Sequence, residues 1–224
     1  MTIAAKVVIS LGGSLIAPDG VDVSFLKKFR EMILGRPERF VIICGGGKTA
    51  RRYQDAAQSL IGSDDDALDW IGISATHLNA NLLRLAFEKD AEQEIVVDPT
   101  KKVSWTRKLL VAGGWKPGRS TDYDAVILAR KYGIGMIINM SNVDYVYEQD
   151  PRKKSDAKRM PFLSWQGFFK IVGDKWKPGM SAPFDPIAAQ EAEKSGLKVI
   201  IVGQDLGNLA ALLDGSEFNG TLIS

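Results

Sequence analysis

Residues 113–122 read GGWKPGRSTD: three glycines, one proline, two cations and two adjacent hydroxyl residues in ten positions. An apolar run, Leu109–Ala112, leads into this stretch, and a helix-forming segment from Asp122 to Tyr132 follows it. The order reads as strand, glycine-rich turn, helix N-terminus. Amides freed at a helix start, together with the positive end of the helix dipole, attract phosphate. Gly113, Gly114 and Gly118 would let the backbone approach an anion closely. Ser120 or Thr121 can cap the helix or donate to phosphate oxygens. Arg119 supplies a planar fork suited to phosphate. An ordinary surface loop ahead of a capped helix could carry the same residues, so this stretch needs company to count.

Two similar turns lie upstream. Val7–Leu11 is a short β-branched run ending in Gly12-Gly13-Ser14, and Phe40–Cys44 delivers Gly45-Gly46-Gly47-Lys48-Thr49 ahead of a helix through Tyr53, Ala57 and Leu60. Each glycine loses about 0.5–1 kcal/mol of backbone entropy relative to alanine, so close approach of a ligand or of another backbone is the natural reason for three in a row. Between the turns, Ser24 reads as the cap of a helix to about Leu34, with Phe25, Phe29, Met32 and Ile33 on one face. The acidic run Asp64–Asp66 suits a helix start. A helical pattern then reaches Lys89, with Leu68, Ile71, Leu78, Leu82, Leu85 and Ala86 as its candidate buried face. Asp69 and His77 lie inside that pattern. His77 is the only histidine, and we read it as a partly buried residue with a satisfied hydrogen bond. Glu94–Val97, Leu109–Ala112 and Gly135–Asn139 read as further strands. Alternation of strands and helices predicts a largely parallel sheet covered on both faces, with a ligand crevice at the carboxyl ends of the strands. All three glycine turns fall at those ends.

The rest of the chain departs from the alternation. Ser141–Lys154 reads as a hairpin or lid, Asp156–Pro161 as linker, Ser164–Val172 as a short helix and Gly173–Phe184 as loop. Asp185-Pro186 starts a helix to about Ser195. Lys198–Val202 is a buried strand, Leu209–Leu213 a short helix and Thr221–Ile223 an edge strand.

With 224 residues, 45% hydrophobic and 25% charged, the chain has ordinary globular composition, and we expect a single domain over 1–224. A formal net charge of +2 gives no case for nucleic-acid binding. No apolar run is long enough to span a membrane. The single cysteine, Cys44, excludes a disulfide framework and reads as a small core residue. No secretory signal pattern precedes the first strand, and a cytoplasmic location is expected.

Taken together, Gly12–Ser14, GGGKTARRY (Gly45–Tyr53), LDWIGISATHLNA (Leu68–Ala80), GGWKPGRSTD, SNVDYVYEQDPR (Ser141–Arg152) and DPIAA (Asp185–Ala189) resemble the amino acid kinase family, in its archaeal-type uridylate kinase branch, in order and spacing over nearly the whole chain. The resemblance implies an α/β fold, a three-layer αβα sandwich around a mainly parallel sheet. It implies ATP as donor, Mg²⁺, UMP as acceptor and a homo-oligomer, by resemblance a hexamer. An acceptor-binding half would cover about 1–132 and an ATP-binding half about 133–224. By the same match, Ser10, Leu11, Gly12, Gly13 and Ser14 face the transferring phosphates from the donor side. Gly45, Gly46 and Gly47 lie between the nucleotides with Arg51 close by. Asp69 meets the acceptor's ribose. Gly114, Trp115, Lys116, Pro117, Gly118, Arg119, Ser120 and Thr121 cradle its phosphate and base. Ser141, Asn142, Tyr147 and Asp150 match the ATP site, and Asp144 and Asp185 acidic positions near the phosphates and metal. No dedicated protein metal site is expected.

There are two departures. The family commonly carries lysine where this chain has Ser10, and glycine where it has Tyr145. Lys6 shares Ser10's strand face but lies roughly 13 Å away at about 3.3 Å per residue. Phosphoryl transfer needs positive charge on the moving group. Lys48, Arg51, Arg119 and Mg²⁺ are the available sources, so Lys48, Arg51, Asp144, Asp185 and the Ser10 position form the expected catalytic set. Rival readings are a family member with another acceptor, such as isopentenyl phosphate or a carboxylate, and a non-catalytic nucleotide sensor or storage protein.

Overall fold

Strand β1 (Lys6–Leu11) shows why this sequence makes a three-layer structure. Val7, Ile9 and Leu11 point to one face, Val8 and Ser10 to the other, and all five are buried. Burial on both faces requires cover on both. A computed structural model describes residues 5–62, 64–101, 103–151, 153–154, 156–173 and 182–224. Its main sheet has seven strands in the order β3-β2-β1-β4-β8-β9-β7. Strands β2 (Arg39–Cys44), β3 (Leu109–Ala112), β4 (Met136–Met140) and β8 (Lys198–Val202) extend β1 as one parallel array. Strand β9 (Thr221–Ile223) runs antiparallel to β8, and β7 (Phe162–Leu163) pairs with β9.

One face is covered by α1 (Gly13–Ile16), α2 (Val23–Leu34), α4 (Asp65–Phe87) and α8 (Leu206–Leu213), which join Ile9, Ile42, Val111 and Ile138 in a core around Phe29, Leu83, Phe87 and Leu212. The other is covered by α5 (Thr121–Lys131), α6 (Trp165–Val172) and α7 (Pro186–Lys194), which bury Val8, Ile43, Leu110 and Ile201 against Val126, Phe168 and Ala189. Helix α3 (Gly47–Ile61) packs on α4. The chain builds β1 to β3 on one side and then returns to place β4 on the other side of β1. The topological switch therefore lies between β1 and β4, where an open α/β sheet binds its ligands.

Several expectations change. Glu94–Val97 is no strand: only Ala91 and Val96 bridge to β3, and between them the Glu92 carboxylate turns back to accept from the amides of Thr106 (2.5 Å) and Arg107 (2.8 Å). Strand β9 is internal; β7, two residues in a stretch too short to show alternation, forms the edge. The supposed linker holds β6 (Arg159–Met160), which pairs with β5 (Val146–Tyr147) in a separate antiparallel ribbon. Helix α2 is capped by Asp22, whose carboxylate accepts from the Phe25 amide at 2.8 Å, not by Ser24. Helix α8 begins at Leu206 behind an Asp205 cap. The buried face of α4 is Ile73, Ala75, Thr76, Asn79, Ala80, Leu83 and Phe87, whereas Leu78 and Leu85 are exposed. Most of the loop Gly173–Phe184 lies outside the described residues.

Candidate active site

The glycine turns after β1 and β2 are packed on each other. The Gly45 amide donates to Leu11 O (2.9 Å), and a Cβ on Gly45 would stand 2.8 Å from the Gly13 amide. A Cβ on Gly13 would fall on the backbone of Gly45, Gly46 and Gly47, and Gly47 itself has φ +61°. These glycines therefore serve the approach of two main chains. Gly12 does the same for β4: its amide donates to Met140 O at 2.8 Å, beside Ser141. Gly12–Ser14 and Ser141, both expected on the donor side, thus meet at the switch point.

Helix α4 grips the turns after β2 and β3 from behind. Asn79 Nδ2 donates to Gly45 O (2.8 Å), Thr76 Oγ1 accepts from the Gly114 amide (2.7 Å), and His77 Nε2 donates to Gly114 O (2.7 Å). Asp69 Oδ2 accepts from the Gly118 amide at 2.8 Å. His77 is thus the satisfied helix residue the sequence suggested. Gly113 and Gly114 are glycine because α4 is there: a Cβ would stand 2.5 Å from His77 Cδ2 and 3.2 Å from Thr76 Oγ1 respectively. Only Gly118, at φ +73° with open space around it, keeps the conformational reason. The amides of Gly113, Gly114, Trp115 and Gly118 all have protein acceptors. An anion at this loop is left with side chains and the start of α5, which Ser120 caps through the Tyr123 amide (3.2 Å). The cations are held ready: Lys116 Nζ lies 4.1 Å from the Trp115 ring centroid and the Arg119 guanidinium 4.6 Å from that of Tyr123.

Ser10 is buried and faces inward, donating through Oγ to Asp122 Oδ1 at 2.9 Å. Asn139 Nδ2 donates to the same oxygen (3.0 Å), and the Asp185 amide to Oδ2 (3.1 Å). Asp122 thereby ties β1, β4, α5 and α7 together. Removal from water raises its carboxyl to about 6, against hydrogen bonds that favour ionisation and with the Asp185 charge adding to the rise. Two residues on, Asp124 is fully buried and its carboxyl is pushed to about 7, first by burial. Of the seven buried polar residues among those described, Ser10, Thr76, Asn79, Asp124 and Asn139 lie at this one edge, which marks it as a site rather than a packing surface. Sequence reading passed over Asp122, Asp124, Asn139, Thr76 and Asn79. The available signal was polar residues in otherwise apolar runs.

The remaining candidates lie further out. Lys48 is half-exposed and pairs with Asp19 at 3.0 Å, and Arg52 reaches the same carboxylate at 3.2 Å. The Lys48 contact holds the Asp19 carboxyl below its usual value. Arg51 is exposed on α3. Asn142 and Asp144 are exposed, Tyr147 and Asp150 half-buried, and the end of the Asp144 side chain occupies the space that a Cβ on Gly203 would take. Asp185 caps α7 through the amides of Ile187 (2.6 Å) and Ala188 (3.2 Å). Tyr145 is buried, its hydroxyl 3.1 Å from Asn219 Oδ1 and the Arg159 guanidinium 5.1 Å from its ring, so it anchors the β5–β6 ribbon. Lys6 lies 5.6 Å from the Trp105 ring at the opposite end of β1, away from Ser10. Cys44 is buried and its thiol is pushed up by burial, consistent with a core role.

A parallel sheet whose switch-point crevice is rimmed by glycine turns, buried carboxylates and aromatic-braced cations defines an α/β enzyme that handles phosphate groups. The profile of the amino acid kinase family matches residues 5–203, and the chain belongs to that family. It is 35% identical to the uridylate kinase of Methanocorpusculum labreanum, over 97% of this chain and 95% of that protein, and 35% identical to the uridylate kinase of Pyrococcus abyssi, over 89% and 90%. The crystal structure of uridylate kinase from Archaeoglobus fulgidus superimposes with a TM-score of 0.83 at 33% identity, covering 98% of this chain and 100% of that one.

Proposed function

We infer that this chain is a UMP kinase, transferring the γ-phosphoryl group of ATP to UMP to give UDP. The observation that carries the reading is end-to-end similarity to uridylate kinases, together with glycine turns that pack on one another at one switch point. The UMP phosphate is the nucleophile and is already anionic near neutral pH, so the protein's task is alignment and charge neutralisation. Lys116 and Arg119 are the cations for the acceptor phosphate. Lys48 and Arg51, on the first turns of α3, are those for the transferring group. Lys48 must exchange Asp19 for phosphate, and an exposed ion pair costs little to break. Ser10, turned into the Asp122 network, acts through that network.

Among the described residues no group of three or more acidic, histidine or cysteine side chains converges to hold a metal ion. Mg²⁺ needs no such group, because it keeps several waters and is bound by one or two carboxylates plus substrate phosphates. Asp144, with Asp185, would hold it there, where it would neutralise phosphate charge. ATP contacts are assigned to Gly12–Ser14, Ser141, Asn142, Tyr147 and Asp150, and acceptor contacts to Asp69 and the loop Gly114–Thr121. We read the chain as one domain, because the seven strands form one continuous sheet, with the residues before 133 on the β1 side of the switch and those after it on the β4 side. Exposed Tyr53 and Leu60 on α3 with Trp70, Leu78 and Leu85 on α4 support a homo-oligomer joined through this helix pair. No helix among the described residues is long and apolar enough to cross a membrane, and with the single buried cysteine this supports a cytoplasmic location.

The test is steady-state transfer from ATP to UMP, CMP, AMP, isopentenyl phosphate and carboxylate acceptors. UMP should have the highest kcat/KM. Preference for a non-nucleotide, or binding of ATP with no transfer to any acceptor, would overturn the reading.

A further inference from the structure

We propose that Asp124 is a positioning residue for the acceptor: accepting the Trp115 amide from the helix behind the loop, it sets the Trp115–Lys116 pair against which the acceptor nucleotide lies. The proposal rests on the UMP kinase reading of the site. Asp124 has no exposed surface, and its Oδ2 accepts from Trp115 N at 3.0 Å. Its Oδ1 is buried with no hydrogen-bond partner among the described residues. Ala125, Val126, Leu128 and Ala129, which follow it in α5, are all buried and apolar. An apolar side chain would suit position 124 at far lower cost than a carboxylate. What the carboxylate adds is its hold on Trp115, whose ring braces Lys116. Asp69 holds the far end of the loop at Gly118, so two carboxylates on two helices span the loop.

The charges around Asp124 decide when that hold is strongest. Asp122 on its own helix and Asp98 on the segment after Val96 oppose its ionisation, and Arg119 on the loop favours it. The strand residues of β2 and β3 in the core beneath α5, Val41, Ile43, Leu110 and Ala112, carry no charge. On α7, Asp185 donates its amide to Asp122, and Glu191 is taken by Arg130. The ionised carboxylate makes the stronger, charge-assisted bond to Trp115, and its carboxyl titrates near 7.

The test compares Asp124→Val, which cannot accept the amide, with Asp124→Asn, which can. The Val variant should remain folded, with UMP KM raised about tenfold and kcat and ATP KM within about twofold of the parent. In the Asn variant UMP KM should stay within about threefold. The ratio of parent to Asn KM should fall as pH rises from 6 to 8; the titration of UMP itself cancels in that ratio. Amide exchange across residues 113–119 in the nucleotide-free protein should speed up in the Val variant only. An unchanged UMP KM in Asp124→Val, or a loss spread equally over kcat and both KM values, would overturn the proposal. If the parent protein transfers nothing to UMP, the reading of the function falls; faster exchange in Asp124→Val would then still support the latch on Trp115, and equal exchange would overturn it.

Discussion

The two rims of the crevice are built differently. Around the turns after β2 and β3, Asn79, Thr76, His77, Asp69 and Asp124 each fix a backbone group, and most of those side chains are buried. After β4, Asn142 and Asp144 are exposed on a segment that also carries the short β5–β6 ribbon and Tyr145, and the Asp144 side chain rests against Gly203. Buried polar contacts leave a turn one arrangement, because breaking any of them strands a desolvated group. Exposed side chains remain free to move. The rim at the turns after β2 and β3 is therefore held in one arrangement by buried contacts, whereas the segment after β4 carries side chains that are free to move.

Substitutions at the turns test this most severely. Gly13→Ala drives a methyl group into the backbone of Gly45–Gly47, which has nowhere to go. Urea denaturation should show a loss of more than about 3 kcal/mol, or no folded protein. A well-folded, active Gly13→Ala would show that the two turns are not locked together.

The next largest effect depends on pH. Burial pushes the Asp124 carboxyl up to about 7 in the folded protein, well above the 3.8 of a free aspartate. The folded state therefore holds its proton more tightly than the unfolded chain. That contribution is fully present below about pH 4 and is lost as pH rises to about 7. Removing the charge in Asp124→Asn should leave stability close to the parent at pH 4. At pH 8 it should raise stability, by at most about 4 kcal/mol. Unfolding curves at both values check it, and a gap that does not grow with pH would remove the buried charge from the account.

Lys48→Ala should lower kcat about a hundredfold with little change in UMP KM, since its charge is needed mainly in the transition state. An unchanged kcat at saturating Mg²⁺ would leave Lys48 as the partner of Asp19 alone. Thr76→Val removes the acceptor of the Gly114 amide and should cost about 1–3 kcal/mol while raising UMP KM. The smallest effect is expected at Gly203→Ala on the donor side. The new methyl group meets the end of the Asp144 side chain, which can swing away, so stability should fall by less than about 1 kcal/mol while ATP KM shifts. A large stability loss there would erase the contrast between the rims.

The sequence by itself determined the strand and helix alternation, the three glycine turns at one sheet edge, the Asp185 cap and the core role of Cys44, and it narrowed the cap of α5 to Ser120 or Thr121. Each is a local or periodic property, readable because side-chain direction follows a period of two or 3.6. The inner face of α4 is only partly legible because apolar residues lie all round it: Leu82 and Ala86 pack on the core as expected, and Leu78 and Leu85 do not. Thr76 and Asn79 face inward for hydrogen bonds to turns that are distant in sequence, leaving Leu78 and Leu85 outside. Ser10 was read as a gap in charge. Only the tertiary structure gave it a partner, Asp122, 112 residues away. It also showed that Gly13, Gly45 and Gly47 make room for one another's main chain. Such pairings depend on which strands the crossovers set side by side, and a buried carboxylate's meaning depends on the donors that happen to reach it. Neither leaves a trace in local periodicity.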